Sequence, residues 1–331
     1  MSQAVLPVDS MKSGQTPIRE ILGRHIKGAG FFTITGLSRS GLIETMDACG
    51  VSETIRQKYA LDEAMSAVVV CLRYSEGDFA MPPWATADFA GPGLRLGRFA
   101  RANWYAELAE RLKRAVEETI AEAASEGQAL PSARHWHRLV NSGLPEKALA
   151  AKSGAGRIGK NQILIARATS PGSAVRYSSA VVLGILLCPI DVGVEDAEKA
   201  PNLCGNCAKC IAACPTQALG SARQPGYSRL SCIQHWTTEE GKLPEQVERV
   251  FGCRLYGCDA CLEACPYFLL DSSAATSMGR IGPILPARYI LKASDIELKR
   301  DFLGTALDRG WMSKDAFRRN ARLALGEKNG N

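Results

Sequence analysis

The stretch NLCGNCAKCIAACPTQAL, residues 202–219, sets four cysteines in eleven positions with the spacing C-x2-C-x2-C-x3-C-P. Three thiolates at that spacing can meet one iron–sulfur cube, while the fourth, turned away by Pro215, ligates a second cube. A partial copy follows at Cys258, Cys261 and Cys265, ending in Pro266. The two motifs supply seven of the eight thiolates that a pair of cubes needs, and Cys232 or Cys253 supplies the eighth. The crossing rule groups Cys204, Cys207, Cys210 and Cys265 around one cluster, leaving Cys214, Cys258, Cys261 and the eighth cysteine for the other. Zinc is the competing use of clustered cysteines, but it favours separated C-x2-C pairs over three evenly spaced thiols and a Cys-Pro.

These residues lie in a chain of 331, long enough for one large core or two moderate ones. Its twelve cysteines are clustered in sequence, and the N-terminus carries neither an apolar export segment nor a twin-arginine pair. The expected setting is therefore cytoplasmic, with metal-bound thiols in place of disulfides. The longest apolar run, 180–190, is about half of the ~20 residues a membrane-spanning helix requires, so no membrane partner is expected. A net charge of +6 allows an anionic partner without demanding one.

Three regions differ in texture. Residues 1–195 alternate helical and extended patterns and form an α/β domain. A helix is expected around Ile18, Leu22 and Ile26, a strand over 31–35 and a buried strand over 67–72. A long helix carries Leu108, Leu112, Val116 and Ile120 every fourth residue, and strands are expected over 162–168 and 178–187. Cys49, Cys71 and Cys188 stand alone on apolar segments and read as buried packing residues. Residues 196–272 hold the cysteine motifs and should depend on metal as much as on a core. Residues 273–331 form a linker and a helical tail, with Ser313 as N-cap and Gly326 as stop.

Other patterns carry less. His135 and His137 flank Trp136, but a metal pair there lacks acidic partners in the nearby sequence. The glycines of LAAKSGAGRIGKNQILI, 149–165, make a turn that lets backbone approach a large flat cofactor, although no phosphate-loop signature is present. Arg318, Arg319 and Arg322 on the tail helix read either as a solvated face or as an RNA phosphate contact.

Taken together, CGNCAKCIAACPTQAL, LSCIQHWTTEEGKLPE, GCRLYGCDACLEACP, the glycine segment and FRRNARLALG resemble the epoxyqueuosine reductases, cobalamin-dependent iron–sulfur enzymes of tRNA queuosine synthesis related to the reductive dehalogenases. RFARANWYAELAERLK is a weaker likeness. The resemblance implies a nitroreductase-like α/β domain that holds base-off cobalamin against a ferredoxin-like double [4Fe-4S] domain. It selects Cys232 over Cys253 as the eighth ligand and sets Gly154, Gly156, Gly159, Lys160 and Asn161 beside the corrinoid. The implied partners are a tRNA substrate and an external donor of the ferredoxin or flavodoxin type.

One departure bears on the chemistry. Where the family carries its acid in a V-D-S segment, this chain reads LVNSGLPEKALAAKSG, with Asn141, and a second family acid aligns with Asn103. An amide cannot donate a proton as a carboxylic acid does. Tyr105, Lys160 or water then replaces the acid, or the substrate differs. The alternatives are a cytoplasmic reductive dehalogenase-like enzyme on a small organic substrate and a non-catalytic two-cluster electron-transfer protein.

Overall fold

The computed structural model describes residues 15–75, 81–86, 91–168, 174–193, 199–221, 226–271, 276, 278–310 and 312–327. At its centre lies a four-stranded antiparallel sheet in the order Thr33–Ser38, Ser66–Arg73, Val181–Cys188, His137–Val140. The second of these strands is apolar on both faces because both faces are covered. Val68, Val70 and Leu72 point towards the helices Ile18–Gly28 and Trp104–Ser125, while Ala67, Val69 and Cys71 point towards Arg39–Ala48 and Glu146–Lys152.

The long helix is the one its four-residue period predicts. Leu108, Leu112 and Val116 are buried and Ile120 is partly so. Asn103 caps it, its Oδ1 accepting the Ala106 N–H at 3.1 Å, and Gly127 beyond its end adopts φ +73°. Asn103 therefore takes a structural place, buried at the head of the helix, with its amide nitrogen also donating to Gly304 O at 2.8 Å. The helix presses so closely on the sheet that a Cβ at Gly184 would lie 2.3 Å from Leu108 Cδ2. Gly184→Ala is expected to lower stability by about 1–3 kcal/mol through overpacking, read as a fall in the thermal midpoint.

Strands 31–35 and 162–168 begin later than expected, at Thr33 and Leu164; Gln162 still closes the glycine turn, its N–H donating to Gly159 O at 2.9 Å. Cys71 and Cys188 are fully buried, whereas Cys49 is exposed: it closes the Arg39–Ala48 helix, where the chain turns out to solvent. His135 lies in a short 3-10 turn and His137 opens a strand, so the pair does not share one strand face.

A second sheet, Gly156–Ile158, Leu164–Ala168, Arg176–Ser178, carries the glycine segment. A third takes one strand from each region of the sequence: Ile284–Pro286 pairs antiparallel with Gly93–Leu96, which pairs parallel with Arg254–Tyr256. Around it Leu94, Leu255, Leu285, Phe302 and Phe317 form one core, so the tail is built into the body of the protein. The last helix, Lys314–Ala324, is capped by Ser313 and followed by Gly326 at φ +72°, as its sequence signals require.

Candidate redox and substrate site

The cysteine motifs fold as two short helices, Lys209–Ala212 and Ala260–Glu263, packed against each other. Cys207 N–H donates to Cys204 O at 2.7 Å, closing the first turn, and Cys265 N–H donates to Leu262 O at 2.9 Å, closing the last. Cys232 opens the helix Ile233–Trp236, whose Gln234 side chain accepts the Cys258 N–H at 3.2 Å.

The thiols stand close enough to perturb one another. Burial pushes the Cys210 thiol up, and Cys204, Cys265 and Cys207 push it further. The Cys261 thiol is pushed up to about 12, first by burial and then by Cys258, Cys232, Cys214 and, more weakly, Cys210. Cys210 therefore neighbours members of both groups that the crossing rule expects, and Cys232 neighbours Cys261. Cys253 sits at the edge of the third sheet, where its carbonyl accepts the Arg95 N–H at 2.9 Å. Among the described residues no three His, Cys, Asp or Glu side chains are arranged to hold a single metal ion. A cube binds each thiolate to a different iron, so its ligands need not converge on one point. Four thiols per set is the donor chemistry that a [4Fe-4S] cluster takes.

The α/β domain meets this unit along a seam. Ser179 N–H donates to Tyr267 O at 2.7 Å, Ser178 Oγ to Leu269 O at 2.8 Å, and Arg73 pairs with Asp271 at 2.7 Å. Lys160 reaches across the seam, its Nζ donating to Gly205 O at 2.8 Å and Cys207 O at 3.0 Å. Its ammonium thus ties the glycine turn to the first cysteine loop and is not poised as an acid towards a substrate.

Within the glycine segment the three glycines have different reasons. Gly154 takes φ +73° after the helix. A Cβ at Gly156 would stand 2.2 Å from Ile165 O across the paired strands, and one at Gly159 would stand 2.9 Å from Asn161 Oδ1. Asn161 is 6% exposed; its Oδ1 accepts the Ile163 N–H at 3.3 Å, while its Nδ2 has no hydrogen-bond partner among the described residues. A buried amide donor left over beside a loop too tight for side chains suits a bound polar group, and the segment fits a corrinoid in that respect.

Asn141 follows the strand His137–Val140, exposed and at φ +53°, a left-handed conformation that asparagine tolerates well. The turn it opens is held by a carboxylate: Glu146 Oε1 accepts the Ser142 N–H at 2.6 Å. Burial pushes the Glu146 carboxyl up, against hydrogen bonds from Ser142 and the Asn141 backbone that favour the anion. Tyr105 lies in the same electrostatic neighbourhood. Its phenol is pushed up to about 12, by burial first and Glu146 second, with Arg309 opposing. The Arg309 guanidinium stands 5.8 Å from the Tyr105 ring and donates to Asn103 Oδ1 at 3.3 Å, while its buried Nε has no partner among the described residues. Phe99 joins Tyr105 to Tyr256, with ring centroids 6.5 and 5.2 Å away, and Tyr74 feels both Tyr105 and Cys261.

Glu146 and Arg309 belong to this neighbourhood although no motif marks them. Glu146 is one of many acids at a helix start, and Arg309 arrives from the tail, over two hundred residues from Tyr105 in sequence. The tail-helix arginines divide. Arg319 is 6% exposed, its guanidinium spent on the carbonyls of Trp236, Glu239 and Gly241, so it lies inside the protein and cannot meet a phosphate. Arg318 pairs with Asp295 and Asp315, which leaves it and Arg322 nearer the surface.

Residues 203–267 match the profile of the 4Fe-4S double cluster binding domain. With the mixed α/β fold around it, this defines a class: an iron–sulfur oxidoreductase carrying two [4Fe-4S] clusters in one domain. The particular relatives all carry one name. An epoxyqueuosine reductase from Lactococcus garvieae is 27% identical over 88% of this chain and 79% of the relative, and one from Bacillus subtilis is 29% identical over 86% and 69%. One from Gloeobacter violaceus reaches 32% over 55% of each. The fold matches the epoxyqueuosine reductase structure from Streptococcus thermophilus with a TM-score of 0.69 at 20% identity, covering 94% of this chain and 81% of that one. It also matches an epoxyqueuosine reductase solved with an epoxyqueuosine-modified tRNA-Tyr stem loop, with a TM-score of 0.65 at 23% identity over 93% and 80%. The chain is a homologue of the epoxyqueuosine reductases. Among the described residues no helix is long and apolar enough to cross a membrane.

Proposed function

We propose that this protein reduces the epoxide of epoxyqueuosine in tRNA to the alkene of queuosine. Cys204, Cys207, Cys210 and Cys265 would hold one cluster, and Cys214, Cys232, Cys258 and Cys261 the other. The segment Gly154, Gly156, Gly159, Lys160, Asn161 would line base-off cobalamin. The clusters and the corrinoid would supply the single-electron relay and strongly reducing centre that side chains lack. The protein's own groups bind, orient and handle protons: Lys160 fixes the glycine turn on the cysteine loop, Asn161 offers its free amide N–H, and Arg309 stands over the Tyr105 ring. An external ferredoxin- or flavodoxin-type protein is the donor in this reading, and Arg322 is the tail cation left for tRNA phosphates, Arg318 being held by Asp295, Asp315 and the Ala293 carbonyl. The observation that carries the proposal is a double-cluster cysteine region tied to the glycine segment through Lys160, in a homologue of enzymes of this name.

The test is anaerobic reconstitution with iron, sulfide and cobalamin, followed by an assay on epoxyqueuosine-containing tRNA. The expected result is about eight irons per chain, a base-off corrinoid signature by absorption and spin resonance, and conversion to queuosine. Failure to bind corrinoid would overturn the enzymatic reading and leave a two-cluster electron carrier. Corrinoid binding without turnover on this tRNA would overturn the substrate.

A further inference from the structure

We infer that Glu146, five residues beyond Asn141, is the proton donor of the site; the inference rests on the reductase reading above. Reducing an epoxide to an alkene breaks both carbon–oxygen bonds, forms the carbon–carbon double bond and releases the oxygen as water. It consumes two electrons and two protons. The electrons come singly from the external ferredoxin- or flavodoxin-type reductant through the clusters, and the protons need a group beside the substrate. An amide at 141 gives none. Lys160 is bound to two carbonyls, and Tyr105 with its phenol pushed up to about 12 is a hydrogen-bond donor rather than a ready acid near neutral pH.

Glu146 has the remaining properties. Its carboxylate folds back from the first position of the Glu146–Lys152 helix over the turn that Asn141 begins, 2.6 Å from Ser142 N. Ser142 Oγ accepts the Leu144 N–H at 3.2 Å and Tyr59 Oη accepts the Gly143 N–H at 3.0 Å, so the turn is held from both sides. The titratable and charged groups facing Glu146 are Tyr105 and, beyond it, Arg309; Tyr59 on the far side of the turn; and Lys147, whose Nζ turns away to Gln162 O at 2.7 Å. Among the described residues no cation forms an ion pair with Glu146. A half-buried carboxylate without a counter-cation is poor as an anion, which is why burial pushes its carboxyl up. A carboxyl with that property is protonated at higher pH than usual and so is matched to general-acid work. Glu146 gives one proton to the epoxide oxygen, is reprotonated from solvent across the exposed turn, and gives the second.

Glu146→Gln separates this role from a merely structural one, because the amide oxygen still accepts the Ser142 N–H and keeps the turn. In the reconstituted enzyme the glutamine variant is expected to retain its iron, its thermal midpoint and its tRNA affinity while losing ~10²–10⁴-fold in kcat. A general acid must be protonated, so the wild-type rate should fall as pH rises through the Glu146 pKa, and that limb should vanish in the variant. Should the glutamine variant lose iron, Glu146→Asp carries the test: it keeps an acid and so should keep the limb at a lower rate. Wild-type turnover and pH profile in Glu146→Gln, or loss of the limb in Glu146→Asp, would overturn the inference. An independent arm needs no turnover: in the infrared difference between wild type and Glu146→Gln, the protonated carboxyl band should titrate above the range of ordinary glutamic acid. Titration within that range would equally overturn it. If the wild type does not act on epoxyqueuosine tRNA, the proposed function fails, and the infrared arm still decides the state of Glu146.

Discussion

Replacing Cys261 by alanine is expected to take the iron content of the reconstituted protein from about eight per chain to about four, and to abolish turnover. Cys261 lies at the centre of its set, with Cys258, Cys232, Cys214 and Cys210 among its electrostatic neighbours. A cube that loses one of four thiolates must take water or a foreign ligand, in a place where burial already disfavours an unshared charge. The first set contributes separately, so its cluster signal should survive in spin resonance while electrons no longer pass. The loss should also be structural. Among the described residues the cysteine helices rest on two small apolar groups, Cys210, Ile211 and Leu219 in one and Ile233, Leu243, Val247 and Phe251 in the other, so metal bonds supply much of what a core would. Cys253→Ala is the control: this cysteine sits at a sheet edge outside both sets, and its removal should leave iron unchanged. Equal loss from both variants would defeat the assignment of Cys232 as the eighth ligand.

Arg319→Leu should destabilise the protein by about 3 kcal/mol or more without touching the chemistry directly. The guanidinium donates to Glu239 O at 2.8 Å, to Gly241 O at 2.9 Å and to Trp236 O, and it braces Asn320, whose Nδ2 donates to Thr237 O and Leu255 O, each at 3.0 Å. Hydrogen bonds from a charged donor contribute roughly 1.5–3 kcal/mol each, and an acceptor left buried without a partner costs about 1–3 kcal/mol. No acid accompanies this cation; carbonyls alone hold it, and burial pulls its pKa down to about 10. Arg319→Lys should not rescue the fold, since an ammonium cannot span three carbonyls as the planar fork does. The measurement is thermal denaturation of the iron-loaded protein, with tRNA affinity as the contrast. A variant that folds normally but loses tRNA with a shallower salt dependence would return Arg319 to the surface role that its sequence position suggests.

That reversal shows where sequence reading ends. Phe317 and Ala321 are legible as the buried stripe of the last helix because they recur at helical spacing. Arg319 has no such signal. A basic residue between two arginines reads as solvated until a neighbouring chain segment brings three carbonyls to it. Asn103 is similar: the alignment offers it as a lost acid, and the fold uses it as a helix cap. In the cysteine region the reverse holds, because thiol spacing alone predicts the double-cluster domain that residues 203–267 match.

The amino-acid sequence by itself made the double iron–sulfur domain legible, since ligand spacing over a few residues is a local property of the chain. It also determined the long helix and the central strands, whose periodicities record the faces they bury. Only the tertiary structure decided which residues meet across distance: Lys160 on the cysteine loop, Arg309 against Tyr105, Arg319 among carbonyls, and Glu146 beneath the turn at Asn141. Those contacts join segments up to two hundred residues apart, and their energies depend on burial and on the absence or presence of a partner. Neither quantity is written in local sequence.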